Sequence, residues 1–308
     1  MKALAVAAAA LLMSLTLPQP GPPKRAVAVT IDDLPWVSAV PLDAAAVAKH
    51  TRVLIGALIA HRIPTIGFVN EGKLGSDGAV DLRRVQLLEA WLAAGFELGN
   101  HTFSHHDLHT TPLAVFQQDI VRGEAVTSKL LAPSGKRLRY FRHPMLHTGR
   151  TLEGKQRLEK FLAERGYRVA PVTIDNSDYI FARAYDRANP TERARILKAY
   201  LDYMTAVVAY YEQQSEVIVG REIRQTLLLH ANTLNADAME GLARMFESRG
   251  YEFIPLDRAL EDPAYALEDT YVGPAGMTWL HRWAITQGKK GIFAGEPTVP
   301  DWIAQAGK

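Results

Sequence analysis

Cysteine is absent from all 308 residues. That absence removes disulfides, thiolate zinc sites, iron–sulfur clusters and cysteine nucleophiles together. A surplus of one charge is also missing. The 35 lysines and arginines face 33 aspartates and glutamates, a formal +2, too balanced for a charge-driven nucleic-acid binder. No internal repeat occurs, and no low-complexity block beyond the N-terminal segment. Neither Gly-x-Ser-x-Gly nor a phosphate-cradling glycine-rich loop is present, which disfavours a serine hydrolase and a nucleotide-binding site. What the chain does have is apolar material: 48% against 22% charged residues supports a sizeable core and excludes global disorder. The length suits one large domain or two ordinary ones. Any metal here must be held by His, Asp or Glu, and ten histidines are available.

The N-terminus is Met1-Lys2, an apolar run from Ala3 to Leu17, and a proline-rich stretch leading to Lys24-Arg25. One positive charge before a run too short for a membrane span has the anatomy of a secretory signal peptide. No clean Ala-x-Ala precedes the prolines, and an uncleaved anchor or an apolar N-terminal helix is the other reading. Residues 1–24 are expected to be signal peptide and spacer, with an exported, periplasmic or extracellular protein following. No later stretch approaches membrane length, so no integral membrane domain is expected after cleavage.

From Arg25 onward, short β-rich runs alternate with helical patterns. Ala26 to Ile31, Thr65 to Val69, Phe96 to Gly99, Leu138 to Phe141, Arg168 to Thr173, Thr226 to Leu229 and Glu252 to Ile254 read as strands. Asp43 to His61, Asp81 to Ala94 and Pro112 to Leu131 read as helices, with Asp43 as a possible N-cap. Strands separated by single helices require crossovers, hence a mostly parallel sheet. The fold class expected is α/β, a (β/α) barrel of about seven units. Asn189 to Arg224 reads as a long helical stretch bearing Tyr200, Tyr203, Tyr210 and Tyr211, a stripe better explained by core packing than by sugar stacking. The tail after Pro263 carries Trp279, Trp283 and Trp302 and reads as an extension docked over the barrel. The expected division is therefore 25–262 as catalytic domain, with a helical insert at 189–224, and 263–308 as extension.

Functional residues of parallel α/β folds gather at the carboxyl ends of the strands. Five polar stretches lie there. Asp32-Asp33 closes the first strand, where a plain turn is the competing explanation. His101 and His105 are four apart, so a helical turn would put both imidazoles on one face to share a metal. Asp33 is the natural third ligand, since two histidines and a carboxylate leave a position for water. His106, Asp107 and His109 crowd the same loop as supporting or surface groups. Arg142 precedes His143-Pro144 and can orient a carboxylate through a bidentate pair. Asp175 to Tyr179 and Leu227 to His230 close two further strands, though a strand-end histidine can equally be a satisfied structural one.

In this order the stretches resemble the polysaccharide deacetylase family, carbohydrate esterase family 4. Thr30-Ile31-Asp32-Asp33 is similar to its Thr-Phe-Asp-Asp motif, and His101 to His105 matches its His-Ser/Thr-x-x-His motif. Phe141-Arg142-His143-Pro144, Asp175 to Tyr179 and Leu228-Leu229-His230 resemble the remaining three. The resemblance spans roughly Ala26 to Leu260. Ile31, His143 and Tyr179 depart from the family pattern on the substrate side of the site, so they bear on substrate identity before reaction type.

The resemblance implies a distorted (β/α) barrel and a metal-dependent hydrolase removing acetyl groups from an N- or O-acetylated carbohydrate. Asp33, His101 and His105 would bind the divalent ion, usually zinc, with cobalt, nickel or manganese able to serve. Asp32 would be the base, tuned by Arg142. His230, kept charged by Asp178, would be the acid. The Met145 amide would face the oxyanion, and Tyr179 and Leu228 would contact the substrate. Two alternatives remain: an amidase or imidase acting on a non-sugar substrate with the same metal site, and a non-catalytic glycan-binding envelope protein. The presence of both Asp32 and His230 weighs against the second.

Overall fold

Alternation along β1 (Arg25–Leu34) decides what the centre of the molecule contains. Side chains of successive strand residues point to opposite faces. Val27, Val29 and Ile31 join the large apolar cluster shared with the helices, whereas Ala28 joins a separate small cluster with Ile66, Phe68, Tyr140 and Ala170. The small cluster fills the barrel interior, and the large one packs the surrounding helices. Continuing the inner face beyond Ala28 leads to Thr30 and then Asp32, both buried.

The computed structural model describes residues 25–76 and 79–308. The expected signal peptide and spacer, 1–24, lie outside the described residues. The other strands are β2 (Thr65–Val69), β3 (Gly75–Ser76), β4 (Ala79–Val80), β5 (Glu97–Asn100), β6 (Tyr140–Phe141), β7 (Arg168–Val169), β8 (Gln225–His230) and β9 (Tyr251–Phe253). β3 and β4 form a small antiparallel hairpin. The remaining seven form one parallel sheet in the order β7-β6-β5-β2-β1-β8, with β9 beside the start of β1. The sheet is curled, helices surround it, and the architecture is a distorted (β/α) barrel. Its two ends meet just past β7, where Ile174 bridges Leu227 of β8, with Thr173 N donating to Thr226 O at 3.0 Å and Leu228 N to Ile174 O at 3.1 Å.

Most helices begin where the side-chain chemistry says they should. Asp43 accepts from Ala46 N to cap Ala44–Ala60, and Asp81 accepts from Arg83 N to cap Leu82–Ala93. Asn189 and Glu192 form a capping box ahead of Pro190–Val219, which ends at Gly220 with φ 81°. That helix is therefore shorter than the 189–224 expectation. Tyr200, Tyr203, Tyr210 and Tyr211 on it are buried, as core packing requires.

Several strand ends shift by one to three residues from the sequence reading, and two elements differ more. The helix expected over 112–131 is split into Leu113–Arg122 and Thr127–Leu131. The break falls at Gly123, where a side chain would press into the backbone of Thr102 and Phe103 at 2.8–2.9 Å. The strand expected over 168–173 pairs regularly only at Arg168–Val169, because the chain then leaves β6 to reach β8.

The last segment packs onto this frame. Trp279 N donates to Val172 O at 2.7 Å, and buried Trp283 joins the large apolar cluster. Arg282 is buried and donates to Asp269 at 2.8 Å and to Thr148. Among the described residues, no helix is long and apolar enough to cross a membrane.

Candidate metal centre and active-site cavity

Parallel strands deliver their carboxyl ends to one end of the barrel, and β1 arrives there with a distortion. Ile31 pairs with Gly67, but Leu34 pairs with Val69, so three steps on β1 match two on β2. An extra residue of this kind bends a strand and re-aims its side chains. Asp33 takes φ 70°, a left-handed backbone uncommon for a residue other than glycine. The consequence is that neighbouring residues, which ordinarily face opposite ways, bring both carboxylates to the same cavity.

His101 and His105 reach it from the loop after β5. The segment between them does not turn helically. Instead Thr102 and His105 have positive φ, 65° and 55°, and His105 N donates to Thr102 Oγ1 at 2.9 Å. Asn100 supports the bend by accepting from Thr102 N at 2.7 Å while donating to Ile120 O at 2.9 Å. The rings still converge, with centroids 4.9 Å apart. His101 Nδ1 donates to Arg142 O at 2.8 Å, which fixes the tautomer and leaves the Nε2 lone pair facing the carboxylates.

One ligand atom each from Asp33, His101 and His105 lies within 4.8 Å of the others. Asp33 Oδ1 is 3.7 Å from His105 Nε2 and 4.0 Å from His101 Nε2. The same buried oxygen has no hydrogen-bond partner. Lys73 Nζ stands 3.0 Å from it, without hydrogen-bond alignment. Burial pushes the Asp33 carboxyl upward, but Lys73 and the charged His230 outweigh it and hold the group ionised, well below the usual carboxylate range. Burial also lowers the basicity of both histidines, keeping them neutral. Two neutral imidazoles, one carboxylate and an orphaned buried oxygen fit a divalent cation with nitrogen and oxygen preference.

Asp32 is nearly sealed from solvent, and burial raises its carboxyl to about 6 despite Arg142 and His230 nearby. The bidentate pair expected from Arg142 is not made. Its Nη1 is 3.8 Å from Asp32 Oδ2, because Nη2 is committed to Thr30 Oγ1 at 2.8 Å and the guanidinium rests over Phe68 at 4.8 Å. Gly99 makes room for that stack, since a Cβ there would fall 2.5 Å from the Phe68 ring.

On the other side, Asp32 and His230 are register partners between β1 and β8. His230 Nδ1 is 2.7 Å from Asp178 Oδ1, while Asp178 Oδ2 accepts from His230 N at 2.9 Å and Asn235 Nδ2 at 2.6 Å. Burial alone would discharge the imidazole, but Asp178, with Asp33 and Asp32 behind it, raises it to about 10.

Met145, Tyr179, Leu228 and His143 line the same cavity, of about 640 Å³. Met145 has φ 56° and leads the turn after Pro144. Gly276 of the C-terminal segment completes this wall, for a Cβ there would sit 1.9 Å from Met145 O. Asp175 is another wall residue, raised by burial to about 6.

The neighbouring Asp107, His109 and His147 form a second group, with Asp107 accepting from His147 Nδ1 at 2.6 Å and the two imidazoles stacked 3.8 Å apart. His109 Nδ1 faces Pro274 O at 3.3 Å, so this group ties the loop to the C-terminal segment; His106 is exposed. Sequence reading missed Lys73, Thr30 and Asn235. Thr30 stands in the Thr30-Ile31-Asp32-Asp33 motif but without a role assigned to it, whereas Lys73 and Asn235 sit in no recognisable pattern, and only the folded chain brings them to the site.

Compared with known proteins, residues 19–168 match the family described as Polysaccharide deacetylase. Several solved structures are similar over most of the chain. The peptidoglycan deacetylase PdaC from Bacillus subtilis is 19% identical, with 78% of this chain and 91% of that one covered, at a TM-score of 0.48. A family 4 carbohydrate esterase from Streptomyces lividans in complex with acetate is 17% identical over 76% and 95%, at 0.48. A family 4 pseudoenzyme from Bacillus anthracis is 15% identical over 78% and 66%, also at 0.48.

Proposed function

This chain belongs to the polysaccharide deacetylase family, and on that premise we propose that it is a metal-dependent hydrolase releasing acetate from an N- or O-acetylated glycan. The observation carrying this reading is the gathering of Asp32, Asp33, His101, His105 and His230 around one cavity. Asp33, His101 and His105 would hold the cation, zinc first, with cobalt, nickel or manganese as substitutes. When bound, such an ion supplies Lewis-acid polarisation of the acetyl carbonyl and acidifies water.

The remaining work falls to the chain's own groups. Asp32 takes the proton of the attacking water, a role suited to a carboxylate raised to about 6. Arg142, anchored by Thr30, keeps Asp32 ionised at neutral pH and directs it inward. His230, charged through Asp178, gives its proton to the leaving amine or alkoxide as the tetrahedral species collapses. The Met145 amide supports the oxyanion, while Tyr179 and Leu228 bound the sugar. Export also belongs to this proposal, supported by the apolar run from Ala3 to Leu17.

Acetate release is to be assayed on N-acetylated chitooligosaccharides, acetylxylan and small amides, before and after chelation. Release from a glycan, abolished by chelator and restored by zinc or cobalt, is expected. Release only from small amides would reassign the substrate, and full activity after complete demetallation would overturn the metal.

A further inference from the structure

The loop that carries Met145 bends twice in succession against the preference of its residues. Met145 and Leu146 both take left-handed backbone, at φ 56° and 54°. A strained pair of this kind persists only where the surroundings over-determine it. Support reaches the loop from the C-terminal segment, 263–308, at several points. Arg282 donates to Thr148 Oγ1 and, through Nε, to Asp269 Oδ2 at 2.8 Å. Asp269 is held in turn by Lys155 Nζ at 2.8 Å, on the helix Leu152–Glu164 that follows the loop. Leu146 packs with Val172 and Leu228 against Trp279.

His109 joins the two segments from the side. Its Nε2 accepts from Gly149 N and its Nδ1 donates to Pro274 O, both at 3.3 Å. Its ring lies on that of His147, 3.8 Å away with 8° between the planes. Stacked rings so nearly parallel cannot both aim a lone pair at one ion, so these histidines form a latch rather than a second metal centre.

The closest approach is at Gly276. A Cβ there would stand 1.9 Å from Met145 O and 3.4 Å from Leu146 Cβ. The backbone of Gly276 is not left-handed, so Met145 alone excludes a side chain at this position. Trp279, three residues on, fixes the segment by donating from its amide to Val172 O at 2.7 Å. Two main chains therefore meet at the cavity wall, and the C-terminal one is anchored.

We propose that Gly276 is a positioning residue for the reaction: its bare backbone lets the C-terminal segment bear on Met145 O and so keeps the Met145 amide aimed into the cavity. Residues 263–308 are then part of the catalytic unit. The inference rests on the deacetylase reading above and on the Met145 amide as oxyanion donor. A contact that serves the oxyanion acts on kcat and leaves KM nearly untouched.

The test is Gly276→Ala, assayed for acetate release from the β-1,4-linked tetramer of N-acetylglucosamine. A fall in kcat of about ten- to a hundredfold is expected, with KM within about twofold and metal content unchanged. Wild-type kcat, or a loss shared by KM and metal content, overturns the role. Hydrogen exchange over 143–151 supplies a reading independent of activity. The amides of Leu146, His147 and Gly149, which are hydrogen-bonded, should exchange several-fold faster in Gly276→Ala, and unchanged exchange overturns the contact. Should the alanine variant not fold, Arg282 decides. A drop in kcat with Arg282→Met that Arg282→Lys does not share supports positioning by the segment, and full kcat in Arg282→Met overturns it. Absence of acetate release from every acetylated sugar by the wild-type protein counts against the deacetylase reading instead, and hydrogen exchange then decides whether Gly276 holds the loop.

Discussion

Asp178 holds His230 twice, through its ring nitrogen at 2.7 Å and its backbone amide at 2.9 Å. One contact sets charge and the other sets place. Asp178→Asn should separate them, because an amide can still accept from the backbone but no longer stabilises an imidazolium. A general acid works while protonated, so activity through His230 should persist below about 10 and fall as pH rises through that value. In the Asn variant the alkaline limb of the kcat/KM profile is expected to move to lower pH. An unmoved limb would remove His230 from the acid role.

Asp32→Asn should lower acetate release by about 10²- to 10⁴-fold, the usual worth of a positioned base. The bound metal should remain, since Asp32 is not among the three grouped ligands. Metal content measured beside activity separates loss of the base from loss of the ion.

His101→Ala should cost metal occupancy itself. Its Nε2 would be a ligand atom and its Nδ1 is tied to Arg142 O, so no neighbour replaces it. Purified variant protein is expected to carry much less than one ion per chain, read by elemental analysis. Full occupancy would argue for a different ligand set.

Lys73 brings a positive charge to 3.0 Å from the oxygen that would meet the cation. Like charges at such a site repel even when partly solvated. Lys73→Met is therefore expected to tighten metal binding several-fold in a competition titration with a chromophoric chelator. Weaker binding would mean that Lys73 chiefly positions Asp33.

Arg282 is buried against Asp269, and leaving one member of a buried pair alone typically costs about 3–5 kcal/mol. Arg282→Met should lower stability by less than that, because Asp269 keeps Lys155 Nζ as a partner at 2.8 Å and is not wholly buried. Chemical denaturation of the two proteins checks it.

How much of this was legible beforehand follows the range of the interaction. The alternation of strands and helices, the cap at Asp43, and the strand-end clustering of Asp32, Asp33, His101, His105 and His230 are local patterns, and they can be read directly. The shape of the His101–His105 turn is not legible in the same way, because a spacing of four fits a helix as well as a left-handed bend, and Asn100 and Thr102 favour the bend. Arg142 was expected to grip Asp32 with two bonds because nothing in the sequence says that Thr30, across the barrel, claims one of its nitrogens. Closure through Ile174 and Leu227 was invisible for the same reason: periodicity describes one segment, whereas a bridge needs two.

Among the described residues, five of the six non-glycine positions with left-handed backbone are Asp33, Thr102, His105, Met145 and Leu146, which all belong to the loops around one cavity. Such conformations each carry an intrinsic penalty of order 1–3 kcal/mol. The surrounding network keeps these loops cocked, and a captured ion would brace them. Emptied of it, the rim becomes the stretch where the molecule has most to gain by springing open, so a protease should find its earliest cut there.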